Sequence, residues 1–400
     1  MASGDPSLMP TTLGPGDRTF RHTPRVRLTI NGRFLTQPVT GVQRYAREFC
    51  ATLDEALSEG DGLPDLEVEV LTPPLAARLA VSLPTYDAIS LREVGRGGGH
   101  RWEQTALPRH LSGTDVLFCP GNTAPLMSLV RKRPAVVVTV HDLAFRDFPE
   151  TVSGSFRRAY EVIVPSVMRR ADRVITVSAA ERTQILEHFP EAAERLTAVA
   201  NGGIPRVRPV PAQDDPVPPE GPFVLYVGAL NPRKNVAGVI AACRSLLAER
   251  PDLRAVFVGD PVGIYQAVDL GPADERMIFA GKLGDAALEA HYAAASLLLF
   301  PSFHEASGLP PVEAMAQGCP VVVSDIPALR ERCGEAALYC DPHDVASIAT
   351  QAGRVLDDVA LAADLAARGR VQAAAYTWDN CLARTLEVIR AAGSRVASAR

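Results

Sequence analysis

Short apolar runs recur along the first half of the chain, and stretches long enough for helices separate them. The runs are Val26 to Asn31, Leu66 to Leu71, Val116 to Cys119, Ala135 to Val140 and Val174 to Val177. Strands this apolar fit a parallel sheet that helices cover on both faces. Before the first long helix, the sequence from Thr40 to Gln43 has the pattern of a capping box.

A second alternation of strand-like and helix-like segments occupies the later half of the chain. The predicted strands are Phe223 to Gly228, Arg254 to Val258, Met277 to Ala280, Leu297 to Phe300 and Pro320 to Val323. Helices are expected after Asn235, after Asp285, after Pro310 and from Val345 to Leu356. The pattern therefore predicts an α/β protein with two Rossmann-like, doubly wound domains that face each other across a cleft.

Length and proline content indicate the domain boundaries. A chain of 400 residues exceeds what one hydrophobic core usually supports. The seven prolines from Pro205 to Pro222 predict a semi-rigid linker. The predicted parts are a disordered leader (1–24), an N-terminal domain (25–205), the linker (206–221), a C-terminal domain (222–377) and a final helical segment (378–400).

Composition narrows the class of protein. Hydrophobic residues make up 47% of the chain and charged residues 22%, and the net charge of -5 argues against nucleic-acid binding. The seven cysteines include no Cys-x-x-Cys pair, which argues against a disulfide framework and a zinc site. No apolar run approaches the length of a membrane span, and the leader lacks a signal-peptide core. We therefore expect a cytoplasmic protein, with peripheral contact at the inner face of the membrane left open.

The segment from Phe303 to Glu313 sets two carboxylates around a turn between a strand and a helix. Gly308 and Leu309 offer backbone amides at the helix start, where the helix dipole favours an anion such as a phosphate. Glu313 lies about one turn inside that helix, within reach of a hydroxyl pair such as a ribose, and Glu305 precedes the turn. Taken alone, such a pair is more often a set of solvated surface residues.

Further candidates stand at other strand ends. Arg233 and Lys234 follow a strand and a glycine turn, and such cations can hold a diphosphate. His141 follows the strand from Ala135 and either binds a sugar hydroxyl or is a satisfied core histidine. Gly41 can admit a ligand to backbone amides or form an ordinary turn. The sequence has no complete Gly-x-Gly-x-x-Gly and no Gly-Lys-Ser/Thr loop, which disfavours dehydrogenases and P-loop NTPases.

With these residues in view, the chain closely resembles retaining GT-B glycosyltransferases of family GT4. The Glu-x7-Glu element formed by Glu305 and Glu313 is that family's mark. The likeness runs from about Val26 to the C-terminus, through segments that lie in the family's order. They include Trp102-Glu103-Gln104, Cys119-Pro120-Gly121-Asn122, Val140-His141-Asp142-Leu143, Gly228 to Asn235, Phe300-Pro301-Ser302, Glu313-Ala314-Met315-Ala316 and Trp378.

The resemblance implies a role for each candidate in binding a nucleoside diphosphate sugar. On the nucleotide side, Arg233 and Lys234 would hold the diphosphate, Glu313 the ribose, and the backbone of Leu283 the base. Gly41 would lie near the diphosphate.

On the sugar side, the amides of Gly308 and Leu309 would meet the phosphate or the sugar. Glu305 would bind hydroxyls of the transferred sugar, and His141 would contact that sugar from the other domain; with Lys234 these form the expected catalytic set. The last helix would cross back onto the first domain. Two departures bear on this reading: one glycine, Gly41, stands where the family often has two, and Ala306 and Ser307 replace a common glycine and aromatic residue.

The expected reaction is transfer of a hexosyl unit, with mannose a candidate, to a hydroxyl acceptor with retention at the anomeric carbon. The acceptor would be a glycan or a lipid-linked glycan in bacterial cell-surface synthesis, and no metal or other cofactor is expected. A glycosidase also uses two carboxylates, but it leaves Arg233 and Lys234 unexplained. A nucleotide-sugar epimerase of the same fold and a non-catalytic nucleotide-sugar-binding scaffold stay open as alternatives, as does the choice between GDP and UDP.

Overall fold

The computed structural model describes residues 26–397 except 60–62, 64, 75–82, 132, 149–153, 204–215, 231 and 260–272. Within these ranges, seven parallel strands form one sheet in the order β3-β2-β1-β4-β5-β6-β7. Six more parallel strands form a second sheet in the order β10-β9-β8-β11-β12-β13. The predicted fold class, α/β with two doubly wound sheets, is confirmed.

The first sheet uses strands from the first half of the chain and the second sheet uses strands from the later half. The first seven are β1 Val26–Asn31, β2 Leu66–Thr72, β3 Ser90–Glu93, β4 Val116–Cys119, β5 Ala135–Thr139, β6 Arg173–Thr176 and β7 Leu196–Ala198. The others are β8 Phe223–Val227, β9 Arg254–Val258, β10 Met277–Gly281, β11 Leu297–Phe300, β12 Val321–Ser324 and β13 Ala337–Cys340.

Helices connect most of the strands and cover both faces of each sheet. Those of the first half are α1 Gly41–Ser58, α2 Gly99–Thr105, α3 Leu126–Val130, α4 Ala144–Asp147, α5 Gly154–Arg170 and α6 Ala179–His188. Those of the later half are α7 Val236–Glu249, α8 Asp285–Ala294, α9 Leu309–Ala316, α10 Pro327–Cys333, α11 Val345–Asp357, α12 Val359–Ala373 and α13 Trp378–Ala397.

The core of each domain lies on both faces of its sheet because successive side chains of a strand point in opposite directions. In β4, Val116 and Phe118 join the cluster on one face, and Leu117 and Cys119 join the cluster on the other. All four side chains are fully buried. This two-sided burial explains why the central strands are uniformly apolar.

Sequence reasoning missed three of the four edge strands of the two described sheets, β3, β7 and β13, and predicted the fourth, β10. Ser90, Arg92 and Glu93 of β3 are exposed, so this edge strand lacks an apolar pattern. The strand β7 has three residues, and β13 closes the other sheet. The segment 95–101, which is rich in Gly and Arg, contains the start of α2 at Gly99. The leader 1–24 and most of the linker 206–221 lie outside the described residues, and the domain boundaries stay predictions.

The last helix, α13, packs on the first sheet although the helices before it belong to the second. Leu382, Leu386 and Ile389 join the core cluster of the first sheet. Trp378 lies at the start of the helix, with its ring centroid 6.0 Å from that of Tyr45. A Cβ at Gly202 would lie 2.5 Å from the Trp378 ring, so the backbone must be glycine there. The chain therefore crosses between the domains at this point.

A set of hydrogen bonds joins the two domains beside α6. The Glu331 carboxylate of α10 accepts the N–H groups of Ala179 and Ala180 at 2.9 and 2.8 Å. These amides begin α6, where no intrahelical acceptor exists. Ser178 donates its hydroxyl to the Ala306 carbonyl at 2.6 Å, and Asn201 donates its side-chain amide to Ser307 Oγ at 3.3 Å. We call these contacts the interdomain seam.

We expect Glu331→Ala to lower the free energy of unfolding by about 1–2 kcal/mol, because loss of an N-terminal helix cap has this cost. The midpoint of urea denaturation measures the change. Glu335→Ala is the matched control, because Glu335 is an exposed glutamate of the turn after the same helix. Equal midpoints for the two variants would show that the cap across the seam contributes nothing.

Candidate active site

Two loops at the carboxyl edge of the second sheet come together through Asn235. A 3-10 turn from Pro232 to Lys234 precedes this residue, which caps α7 in a left-handed conformation at φ 54°. Its side-chain amide donates to the carbonyls of Pro301 and Pro342 at 2.9 and 2.7 Å. Asparagine suits this position because it tolerates the left-handed region and its side chain bonds locally. The loop after β8 is thereby fixed to the loop after β11.

The helix α9 begins at Leu309, and Pro310 occupies its second position. Gly308 precedes it with φ 60°, and a Cβ on this residue would lie 2.7 Å from Leu329 Cδ2. Only glycine fits both the conformation and the space. The amides of Gly308 and Leu309 lie at the positive end of the helix dipole.

Lys234 and Glu305 form a buried ion pair between these loops. The distance from Lys234 Nζ to Glu305 Oε1 is 2.5 Å, and the side chains are 13% and 7% exposed. Burial lowers the pKa of Lys234, and Glu305 opposes that change. Burial acts to raise the pKa of Glu305, but Lys234 and Arg233 outweigh it and bring the pKa below its usual range. Glu305 is therefore a carboxylate at neutral pH.

Arg233 lies beside this pair. Its guanidinium donates to the His304 carbonyl at 3.4 Å, and its own carbonyl accepts the Phe303 N–H at 3.0 Å. The structure thus brings together Arg233, Lys234 and Glu305, which the sequence separates by about 70 residues. Two cations and one carboxylate stand at the edge where open α/β sheets bind ligands.

Glu313 is buried in the first turns of α9, and both of its carboxylate oxygens have partners. The Tyr292 hydroxyl donates to Oε2 at 3.0 Å. The Arg44 guanidinium, from α1 of the first domain, lies 3.3 Å from Oε1 and 3.5 Å from Asp285 Oδ1. Burial raises the pKa of Glu313 despite the arginine. A ligand hydroxyl that binds Glu313 must therefore replace or share these partners.

His141 stands at the carboxyl end of β5 in the first domain, and it is buried. Its Nε2 lies 2.9 Å from the Pro120 carbonyl, and because a carbonyl only accepts, Nε2 carries the proton. Burial lowers the pKa of His141. The neutral ring consequently keeps Nδ1 as an acceptor. The backbone N–H of His141 donates separately to Asn122 Oδ1 at 2.7 Å.

Gly41 and Leu283 are at the rim of the same region. Gly41 is the exposed first residue of α1, one turn before Arg44, and a Cβ there would meet open space. Leu283 is half-buried between β10 and α8. Because Arg44 reaches Glu313, this end of α1 faces the second domain.

Sequence reasoning missed four polar residues of this region: Arg44, Tyr292, Glu181 and His304. Arg44 and Tyr292 lie on the helices α1 and α8, where nothing in the local sequence distinguishes them from other helix residues. Glu181 of α6 is 1% exposed, and its Oε2 lies 4.0 Å from Nε2 of His304. The only sequence signal was the position of His304 directly before Glu305. The pairings across domains leave no trace in a single sequence.

Other site types find no support in the part of the chain that the structure describes. There, no group of three or more His, Cys, Asp or Glu side chains is arranged to hold a metal ion. None of the described helices is long and apolar enough to cross a membrane. All seven cysteines are buried free thiols.

Two facing doubly wound domains with a polar site at their carboxyl edges define the GT-B class of glycosyltransferases. Solved structures share this architecture. The sucrose-phosphate synthase from Thermosynechococcus elongatus superposes with a TM-score of 0.69 at 21% identity, over 92% of this chain and 98% of that one. Anabaena HepE in complex with UDP-glucose has a TM-score of 0.60 at 19% identity, over 91% and 99%.

Sequence comparison gives the family. The model for glycosyl transferases group 1 matches residues 211–372, and the model for glycosyltransferase family 4 matches residues 39–202. The O-antigen chain mannosyltransferase B of Escherichia coli is 31% identical over 281 residues, which cover 66% of this chain and 73% of that protein. The chain belongs to the group 1 glycosyltransferases of family GT4.

Proposed function

We propose that this glycosyltransferase transfers a mannosyl unit, with retention, from a nucleoside diphosphate sugar to a hydroxyl group of a glycan or lipid-linked glycan. The observation that carries the proposal is the Lys234–Glu305 pair beside the start of α9, with Glu313 one turn further along the helix. A nucleoside diphosphate sugar carries a sugar, a diphosphate and a ribose in that order, which fits Glu305, the start of α9 and Glu313 in that order along the chain. The EC 2.4.1 hexosyltransferases are the corresponding enzyme type.

Departure of the diphosphate is the step that these residues assist. As the bond from the anomeric carbon to the phosphate oxygen breaks, its electron pair stays on the phosphate. Arg233, Lys234 and the amides of Gly308 and Leu309 stabilise that charge. The acceptor oxygen then bonds to the anomeric carbon from the same face, and its proton passes to a phosphate oxygen. Glu305 holds hydroxyls of the sugar and supports its transient positive charge.

The remaining roles belong to the same proposal. Glu313 binds the ribose after exchanging Arg44 for the ribose hydroxyls, and the backbone at Leu283 meets the base. The Nδ1 atom of His141 accepts a hydrogen bond from a sugar hydroxyl, and Gly41 lets the diphosphate approach the start of α1. The reaction needs no metal, so EDTA leaves turnover unchanged. We propose that the protein acts in the cytoplasm, and sedimentation with anionic vesicles tests whether it also contacts the inner face of the membrane.

Mannose is proposed because of the 31% identical mannosyltransferase, and bacterial cell-surface glycan synthesis is proposed for the same reason. The UDP-glucose bound by the similar fold makes UDP sugars the necessary comparison. A panel of GDP-mannose, UDP-glucose and UDP-N-acetylglucosamine is screened by thermal shift, because a bound donor raises the melting temperature according to its affinity.

Transfer to an alkyl mannoside is then measured as release of the free nucleotide. We expect GDP-mannose to give the largest shift, and release to depend on the acceptor. Binding of a donor with no acceptor-dependent release would favour a scaffold, and a changed sugar with donor alone would favour an epimerase. The anomeric configuration of the product, read by NMR, decides retention.

A further inference from the structure

We propose that Glu181 and His304, which face each other across the interdomain seam, together bind one hydroxyl group of a sugar in the active site. The inference rests on the proposed function and adds a contact to it from α6 of the first domain. The hydroxyl belongs to the transferred sugar or to the acceptor, and the experiment separates these two sources.

The two side chains are spaced so that one oxygen atom placed beside them can bond to both. Glu181 Oε2 and His304 Nε2 are 4.0 Å apart, too far for a direct hydrogen bond. If an oxygen lies about 2.8 Å from each atom, the angle between its two hydrogen bonds is roughly 90°, which the broad angular range of a hydroxyl group allows. Within the described residues, neither carboxyl oxygen of Glu181 nor His304 Nε2 has a hydrogen-bond partner.

An ordinary role for Glu181 in its helix does not account for this arrangement. Ser178 to Glu181 has the spacing of a capping box, in which the glutamate would reach back to the Ser178 N–H. Ser178 Oγ does accept the Glu181 N–H at 3.0 Å. The carboxyl, however, makes no return bond and lies toward His304. Leaving a buried carboxyl without a partner costs free energy, so a ligand that supplies the partner is favoured.

The charge states of the pair match a hydroxyl group. Burial, with help from Asp142 and Asp147 and against Arg233, raises the pKa of Glu181 to about 9. Burial and Arg233 lower the pKa of His304, while Asp142, Glu305 and Asp147 oppose them. At neutral pH a protonated carboxyl therefore faces a neutral imidazole. The carboxyl donates to the hydroxyl oxygen and the imidazole nitrogen accepts the hydroxyl proton.

The place of the pair fits a sugar. His304 directly precedes Glu305, and Asp142, which is close enough to influence both members of the pair, directly follows His141. Glu305 and His141 are the two residues proposed to hold the transferred sugar from opposite domains. The neighbouring carboxylates of Asp142 and Asp147 disfavour a phosphate or a carboxylate at this point. A neutral hydroxyl group matches the neutral donor and the neutral acceptor of the pair.

The test compares Glu181→Leu and Glu181→Gln with Glu187→Ala, an exposed glutamate of the same helix as control. Calorimetry gives the affinities for GDP-mannose and for GDP, and initial rates give the KM for octyl α-mannoside. We expect Glu181→Leu to weaken sugar binding about tenfold, because a buried hydroxyl loses a partner. Glu181→Gln, which keeps a neutral donor of similar shape, recovers most of that loss.

The affected quantity identifies the source of the hydroxyl. A loss for GDP-mannose but not for GDP assigns it to the transferred sugar, and a raised KM for octyl α-mannoside assigns it to the acceptor. His304→Leu in the Glu181→Leu background then adds little, because both side chains bind one group. The leucine variant keeps or raises its melting temperature, since it removes a buried unpartnered carboxyl.

A different outcome overturns the inference. If Glu181→Leu binds GDP-mannose and octyl α-mannoside as the wild type does, Glu181 contacts neither sugar. If instead the wild type binds no nucleotide sugar and transfers none, the proposed function itself has failed. The two failures are distinguished by the wild-type measurement alone.

Discussion

Replacing Lys234 with Ala should lower turnover by about 10²–10³-fold, the usual cost of removing one preorganised group that stabilises developing charge. Lys234 is held 2.5 Å from Glu305 in a buried site, where its charge acts with little screening by water. Its removal takes one cation from the leaving diphosphate. It also leaves Arg233 as the remaining cation that lowers the pKa of Glu305. Initial rates at saturating donor and acceptor measure the effect.

Two comparisons make this result specific to Lys234. Arg354→Ala removes an exposed cation from α11 in the same domain and should leave turnover unchanged. Affinity for inorganic pyrophosphate should fall in Lys234→Ala as well, because the lysine acts on the phosphates and not on the nucleoside. If Lys234→Ala turns over within threefold of the wild type, the diphosphate does not lie at this pair.

Replacing Glu313 with Ala should weaken binding of GDP by about 10–100-fold, because hydrogen bonds to a charged group contribute about 1.5–3 kcal/mol. Glu313 lies one turn inside α9, where it would accept both ribose hydroxyls. Inorganic pyrophosphate lacks a ribose, so its affinity should change little. Calorimetry with both ligands therefore separates the ribose contact from the phosphate contact of Lys234.

The control for Glu313 is Glu275→Ala, which removes an exposed carboxylate just before β10. Loss of Glu313 also frees Arg44, whose guanidinium keeps Asp285 as a partner at 3.5 Å. For this reason the variant should remain folded, as circular dichroism would check. Equal losses for GDP and pyrophosphate would show that Glu313 supports the whole loop and not the ribose.

The sequence predicted the fold well because buried parallel strands carry a strong local signal. The runs at β4, β9 and β11 agree with the observed bounds, since each strand is apolar on both faces. The edge strand β3 was missed because its exposed side chains have no such pattern. Local sequence thus determines the central strands and says little about what pairs at an edge.

For the candidate site, sequence and resemblance indicated the loops and the structure added their partners. The local sequence pattern indicated the loops after β8 and β11 that carry Lys234 and Glu305. The family likeness supplied the roles of these two residues. The contact of Arg44 with Glu313 could not be read from the sequence. It joins two residues that belong to different domains and lie nearly 270 positions apart in the chain. The same holds for Glu181, whose capping-box spacing favours a local bond that the carboxyl does not make.

The interdomain seam limits how the two halves of the molecule can move. Its hydrogen bonds include the Glu331 carboxylate on the first amides of α6 and the Ser178 hydroxyl on the Ala306 carbonyl. Pulling these groups apart would uncap a helix and release the loop next to Glu305. Arg44 reaches Glu313 through a long side chain, and separating this ion pair costs less free energy than breaking the seam. The cleft should therefore open by a hinge rotation of one domain against the other, with α6 near the hinge axis and α1 on the side that moves most.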